Sequence, residues 1–269
     1  VIMTSRPYTY GNERRITMNF VPVRNLRLGE GTPKICIPLV SPSDEALFEE
    51  AKALSSYPAD LAEWRADYME DIFREGRLHE ILPRLRGILG NTPLIFTFRT
   101  TREGGQQSAS PDQYKKLAED AILSGCIDLA DIELFSQPDS IKELTALAKE
   151  KGVKTIFSSH DFYSTPSCGE LLSRLRQMEK LGADIAKIAV MPRCPEDVLI
   201  LLTATVTARR QLSCPVVTMA MAGTGLISRV WGEIFGSCLT FGTAGRASAP
   251  GQIDARELKC VLDILHNNL

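Results

Sequence analysis

Asp184-Ile185-Ala186-Lys187-Ile188-Ala189-Val190-Met191 is an apolar, β-prone run broken by a single lysine, and it lies between two helical patterns. A short apolar run of this kind reads as a strand buried on both faces, the signature of a parallel sheet covered by helices. An ammonium there loses its hydration, so Lys187 is expected to give up its proton easily and to serve as an amine nucleophile toward a carbonyl. Two plainer readings stand beside it: a strand-end lysine that snorkels to water, or one paired with Asp184.

Outward from this run, extended apolar segments recur at 34–40, 61–67, 93–100, 127–134, 154–162, 184–192, 214–221 and 239–244. Amphipathic helical patterns fall between and after them, near 43–55, 76–89, 111–124, 138–151, 168–181, 195–210, 225–236 and 254–266. Strands alternating with helices argue for βα units, and eight of them select a closed (β/α)8 TIM barrel over an open sheet. Two strand-like runs between Asn19 and Ile37 flank Gly29-Glu30-Gly31-Thr32-Pro33, which predicts an N-terminal β-hairpin turning there and capping the bottom of the barrel. Val1 to Thr17 reads as a poorly ordered extension, with Met18 as an alternative start, and 18–269 as one catalytic barrel.

Composition bounds the function. The 31 basic and 33 acidic residues leave a net charge of −2, spread without blocks, so a nucleic-acid groove or polybasic membrane patch is not indicated and a small polar metabolite is the natural partner. No apolar run reaches the roughly 18 residues of a membrane span. The seven scattered cysteines form no C-x-x-C pair, the usage of a reducing cytoplasmic compartment. With only three histidines and no ligand spacing, no metal and no cofactor is expected.

In such a barrel the chemistry sits at the C-terminal strand ends. Alternation puts Glu63, Arg65 and Asp67 on one face of their strand and Arg99 on the face of Thr97, with Glu103 in the loop beyond; Asp131 and Glu133 share a face, and His160 ends the strand beside that of Lys187. Charged groups converging from five consecutive strand ends are hard to explain as isolated ion pairs. An imine-forming lysine beside a histidine describes enamine chemistry: the imine is the electron sink, the imidazole moves the proton, and Glu103 orients the imidazole. The loops Ala222–Arg229 and Gly245–Gln252 are glycine-rich, and Arg229 and Arg246 point to an anion.

Glu63-Trp64-Arg65, Phe96-Thr97-Phe98-Arg99-Thr100, Asp131-Ile132-Glu133, Ser158-Ser159-His160-Asp161-Phe162, Ala186-Lys187 and Ser248-Ala249-Pro250-Gly251-Gln252, in that order, resemble the type I 3-dehydroquinate dehydratases of the shikimate pathway, a lyase family of aromatic amino acid biosynthesis. The resemblance covers about Asn19 to the C-terminus and implies a metal-free homodimeric barrel that converts 3-dehydroquinate to 3-dehydroshikimate by syn loss of water. It implies that Lys187 forms the Schiff base with the C3 ketone, and that His160 takes the C2 proton and returns it to the C1 hydroxyl. Glu103 would position His160, Arg229, Ser248 and Gln252 would hold the carboxylate, and Glu63, Arg65 and Arg99 would bind the ring hydroxyls. Three features depart from the family pattern: Ser159 in place of a larger residue, Gly245-Arg246 where basic residues are usual, and the first seventeen residues. The alternatives are a class I aldolase acting on a phosphorylated ketose and a non-catalytic ligand-sensing barrel.

Overall fold

The structure is a computed structural model that describes residues 20–136, 138–245 and 247–269. The expectations for the first seventeen residues and for Arg246 lie outside the described residues.

The chain opens with a hairpin of β1 (Val21–Val23) and β2 (Leu26–Leu28), paired antiparallel. Eight parallel strands follow: β3 (Lys34–Leu39), β4 (Leu61–Arg65), β5 (Leu94–Thr97), β6 (Leu129–Glu133), β7 (Lys154–Asp161), β8 (Ile185–Val190), β9 (Val216–Ala220) and β10 (Leu239–Phe241). Their order is β10-β3-β4-β5-β6-β7-β8-β9. A parallel bridge between Val216 and Ser237, with the Cys238 N–H donating to the Val216 carbonyl at 2.9 Å, joins β9 to β10 and brings the sheet round into a barrel. The expected TIM-barrel class is the one observed.

The helices are α1 (Asp44–Ala53), α2 (Arg77–Leu89), α3 (Pro111–Leu123), α4 (Pro138–Lys151), α5 (Cys168–Lys180), α6 (Pro195–Gln211), α7 (Leu226–Val230), α8 (Gly232–Phe235) and α9 (Ala255–His266). Local sequence sets their starts: Ser43 and Ser167 cap α1 and α5, and α3 begins in a reciprocal Ser110/Gln113 capping box with Pro111 in its first turn.

Two sequence expectations are corrected. The hairpin turns at Arg24-Asn25, where Arg24 takes a φ of 50°, and Gly29–Pro33 instead links the hairpin to β3. Gly29 there has a φ of 104°, and a Cβ on it would stand 2.9 Å from the Pro215 ring. The helix expected over 225–236 is two short ones separated at Trp231, and Gly232, which opens the second, packs where a Cβ would meet Pro33 and the Ser237 carbonyl at 2.8 Å.

Alternate strands fill the barrel in layers. At the bottom lie Leu61, Leu129, Ile185 and Leu239, then Cys36, Ile95, Ile156 and Val217, and the hairpin's Val21, Val23 and Leu28 pack onto this same cluster. The hairpin thus plugs the N-terminal end, and Arg24 anchors it to Asp128 at 2.5 Å. One step up, the even-numbered strands β4, β6, β8 and β10 contribute Glu63, Asp131, Lys187 and Phe241, so a layer that is ordinarily apolar is here mostly charged.

Candidate active site

Lys187 projects from the middle of β8 into the barrel, its side chain 4% exposed. Its Nζ donates to Asp131 Oδ2 at 3.0 Å and to Glu63 Oε1 at 3.5 Å and stands 4.7 Å from the centroid of the Phe241 ring. It does not snorkel, and Asp184 is occupied elsewhere, by Lys154 Nζ and the Thr155 N–H. The isolated, desolvated amine of the sequence reading is therefore held between two carboxylates.

Asp131 also belongs to a network centred on Arg99. Its NH2 donates to Asp131 Oδ1 at 2.7 Å, and its NH1 donates to Glu133 Oε1 at 3.1 Å, Ser158 Oγ at 3.0 Å and Glu103 Oε2 at 3.4 Å. Burial alone would depress the guanidinium, but Asp131, Glu133 and Glu103 outweigh it and keep Arg99 above its ordinary value. Burial would likewise raise Asp131, but Arg99 and Lys187 hold it below the usual carboxylate range. Arg65 is engaged too, paired bidentately with Asp67 at 2.8 Å through both Nε and NH2. Asp67 does not share the Glu63 and Arg65 face as alternation suggested. The chain leaves the strand after Arg65 and turns through Ala66–Tyr68, which brings the Asp67 carboxylate back onto that guanidinium.

His160 lies on β7, in register with Ala189 two residues beyond Lys187 on the adjacent strand. Glu103 Oε2 meets His160 Nδ1 at 2.8 Å and also accepts the His160 backbone N–H at 3.1 Å, so the ring is fixed and its Nε2 is left toward the cavity. Burial first, then the cations Arg99 and Lys187, push His160 well below its ordinary value, which favours the neutral imidazole. Burial, with Glu133 and Asp131 adding to it and Arg99 opposing, raises the Glu103 carboxyl and makes it a stronger acceptor for an imidazole N–H. Ser159, the departure beside His160, faces the other way: its Oγ accepts from Arg174 NH1 of α5 at 3.2 Å.

The opposite wall is built by the segments after β9 and β10. Arg229 on α7 is 2% exposed, donates to the Pro250 carbonyl at 3.1 Å, and has no carboxylate partner among the described residues. Burial alone pushes it down to about 10, and its Nε is one of two buried side-chain nitrogens without a partner among the described residues. The Pro250 carbonyl also accepts the Ala222 N–H at 3.1 Å, so the 247–252 loop is seated on the end of β9. Ala222 has a φ of 57° and ψ of −177°, a conformation costing a non-glycine residue about 1–3 kcal/mol. Within the loop, Gln252 receives the Ser248 N–H at 2.8 Å and donates to Ser248 Oγ at 2.9 Å.

One cavity is lined by Lys187, His160, Glu103, Glu63, Arg65, Arg99, Arg229, Ser248 and Gln252, so these nine residues named from the sequence face the same space, whereas Asp67, Asp131 and Glu133 do not line it. The sequence reading missed its apolar wall of Phe162, Met219, Met221 and Phe241, and the Tyr114 hydroxyl, which accepts the Glu133 N–H at 2.9 Å. Phe241 was open to detection, because it alternates inward with Leu239 on the eighth barrel strand. Among the described residues no cluster of His, Cys, Asp and Glu suits a metal, and no helix is long and apolar enough to cross a membrane.

A family model described as type I 3-dehydroquinase matches residues 35–269. The 3-dehydroquinate dehydratase of Listeria monocytogenes is 49% identical over 93% of this chain and 99% of its own. That of Bacillus licheniformis is 50% identical over 93% and 98%. Among solved structures, the type I 3-dehydroquinate dehydratase of Clostridium difficile, determined with covalent modified comenic acid, is similar at a TM-score of 0.90 and 45% identity, covering 93% of this chain and 99% of that one. The Geobacillus kaustophilus 3-dehydroquinate dehydratase gives 0.91 and 42%, covering 94% and 98%.

Proposed function

The chain belongs to the type I 3-dehydroquinase family, and from that premise we propose that it dehydrates 3-dehydroquinate to 3-dehydroshikimate through an imine on Lys187. The family assignment sets aside the aldolase and sensor readings. The observation that carries the mechanism is a buried lysine amine and a neutral-leaning histidine facing one cavity.

Lys187, once deprotonated, attacks the C3 carbonyl; the carbinolamine takes a proton and loses water, leaving a cationic C=N bond. That cation acidifies the C2–H. The Nε2 lone pair of His160 takes the proton and the C–H electron pair moves into the imine to give an enamine. The enamine then expels the C1 hydroxyl, which leaves as water with the proton returned from His160. One imidazole on one face of the ring serves both halves of the step, which makes the elimination syn. Hydrolysis of the conjugated imine releases product and the free amine. Glu103 holds the ring and stabilises the imidazolium as it forms. Arg229, with Ser248 and Gln252, takes the substrate carboxylate, because a buried guanidinium without an acid partner is complementary to an anion. Glu63, Arg65 and Arg99 face the ring hydroxyls. The covalently modified ligand of the Clostridium difficile relative supports a site that bonds its ligand.

Borohydride reduction of the protein with 3-dehydroquinate should add one ligand mass to the peptide containing Lys187, and Lys187→Ala should abolish both adduct and turnover. An adduct on another lysine, or turnover without any adduct, would remove the imine from the mechanism.

A further inference from the structure

Phe241 is the uncharged member of the layer it shares with Glu63, Asp131 and Lys187. In the strand order, β6 lies two strands to one side of β8, β10 two strands to the other, and β4 directly across. The lysine amine therefore reaches toward the barrel axis with Asp131 on one flank, Glu63 ahead of it and the Phe241 ring on the other flank, 4.7 Å from Nζ. The ring is 3% exposed, and its strand is fixed by pairing with β3 at Cys36.

We propose that Phe241 is a catalytic residue whose ring face stabilises the cationic imine on Lys187; the proposal rests on the Schiff-base reading above. The reason lies in what each neighbour loses when the imine forms. An ammonium carries three N–H donors, and here two serve Asp131 and Glu63. The protonated imine has the same charge at nearly the same place but a single N–H. At least one of the two carboxylates must then give up its hydrogen bond. The attraction of an aromatic face for a cation requires no N–H and is strongest where water is excluded, so it persists through the conversion. A leucine here would fill the space and leave the intermediate less stabilised. The reacting nitrogen keeps the same ring against it in the resting enzyme and in the intermediate.

The test replaces Phe241 with 4-fluoro-, 3,5-difluoro- and 3,4,5-trifluorophenylalanine, which nearly preserve shape while draining the ring face of negative potential. With saturating 3-dehydroquinate, kcat and the borohydride-trapped fraction of Lys187 should fall stepwise along the series, by about 10–30-fold in kcat from phenylalanine to the trifluoro ring. Thermal melting of each protein should match the parent. A flat series makes the ring a passive wall and overturns the proposal. A rising series overturns it too, since the ring would then chiefly hold the resting ammonium back from attack. Failure of the parent protein to trap substrate defeats the Schiff-base reading itself, whereas trapping in the parent with a flat series defeats the role of Phe241 alone.

Discussion

Arg99 and Arg229 line the same cavity and are buried to nearly the same degree, 3% and 2% exposed, yet they are held in opposite ways. On the β4–β7 side, Arg99 donates to Asp131, Glu133 and Glu103, and its charge is reinforced. On the β9–β10 side, Arg229 meets a main-chain carbonyl and a methionine sulfur, and burial weakens its hold on its proton. A guanidinium saturated with carboxylates is part of the frame. One buried without them is waiting for an anion from outside. On the proposed mechanism, the contrast divides the cavity into a wall that conducts the reaction and a wall that grips the substrate.

The strongest test exchanges the two arginines for leucine. Arg99→Leu strands three acids in the interior and should cost about 3–5 kcal/mol of folding stability in urea titrations. Arg229→Leu should leave stability unchanged or higher and abolish 3-dehydroquinate binding in calorimetry. Equal losses of stability in both would erase the distinction.

A smaller effect separates the walls kinetically. Glu103→Gln should lower kcat by about 10²-fold with little change in substrate affinity. The sign of its pH effect follows from the 2.8 Å contact: an ionised Glu103 beside Nδ1 favours the imidazolium, and an amide there does not. The base stays neutral to lower pH, and the acid limb of kcat/KM should move downward. An upward move would mean that Glu103 does not face the imidazole during turnover. Smallest of the three, Arg229→Lys keeps the charge but loses the fork, and should raise KM by about tenfold at unchanged stability.

Much of this was legible in the sequence because it depends on period and order. The eight βα units follow from alternation of pattern, and the inward faces of Glu63, Arg65, Arg99 and Lys187 follow from a strand's two-residue repeat. What escaped depends on chain packing across the barrel. Asp67 follows the right parity but the strand has already turned. Gly29–Pro33 carries stronger turn chemistry than Arg24-Asn25, yet Gly29 serves a positive φ and the closeness of Pro215 in the link to β3 rather than the hairpin reversal. The distinctive state of Arg229 is the lack of an acid nearby, which no local pattern encodes. Ser159, a departure from the family pattern, meets Arg174 rather than the cavity, because odd and even residues of a strand face different neighbours.

The hairpin makes the barrel a one-ended vessel. Its floor, formed where Val21, Val23 and Leu28 meet the lowest layers, closes the barrel beneath the lysine. In the proposed imine mechanism everything that moves during a turnover therefore shares one mouth: the incoming substrate, the water lost on condensation, the water eliminated from the ring, the water that returns to cleave the imine, and finally the product. That mouth is bordered by the 247–252 loop, seated on Ala222 through the Pro250 carbonyl. Traffic through a single mouth is sequential, so on that mechanism each water must clear the entrance before the next species can use it.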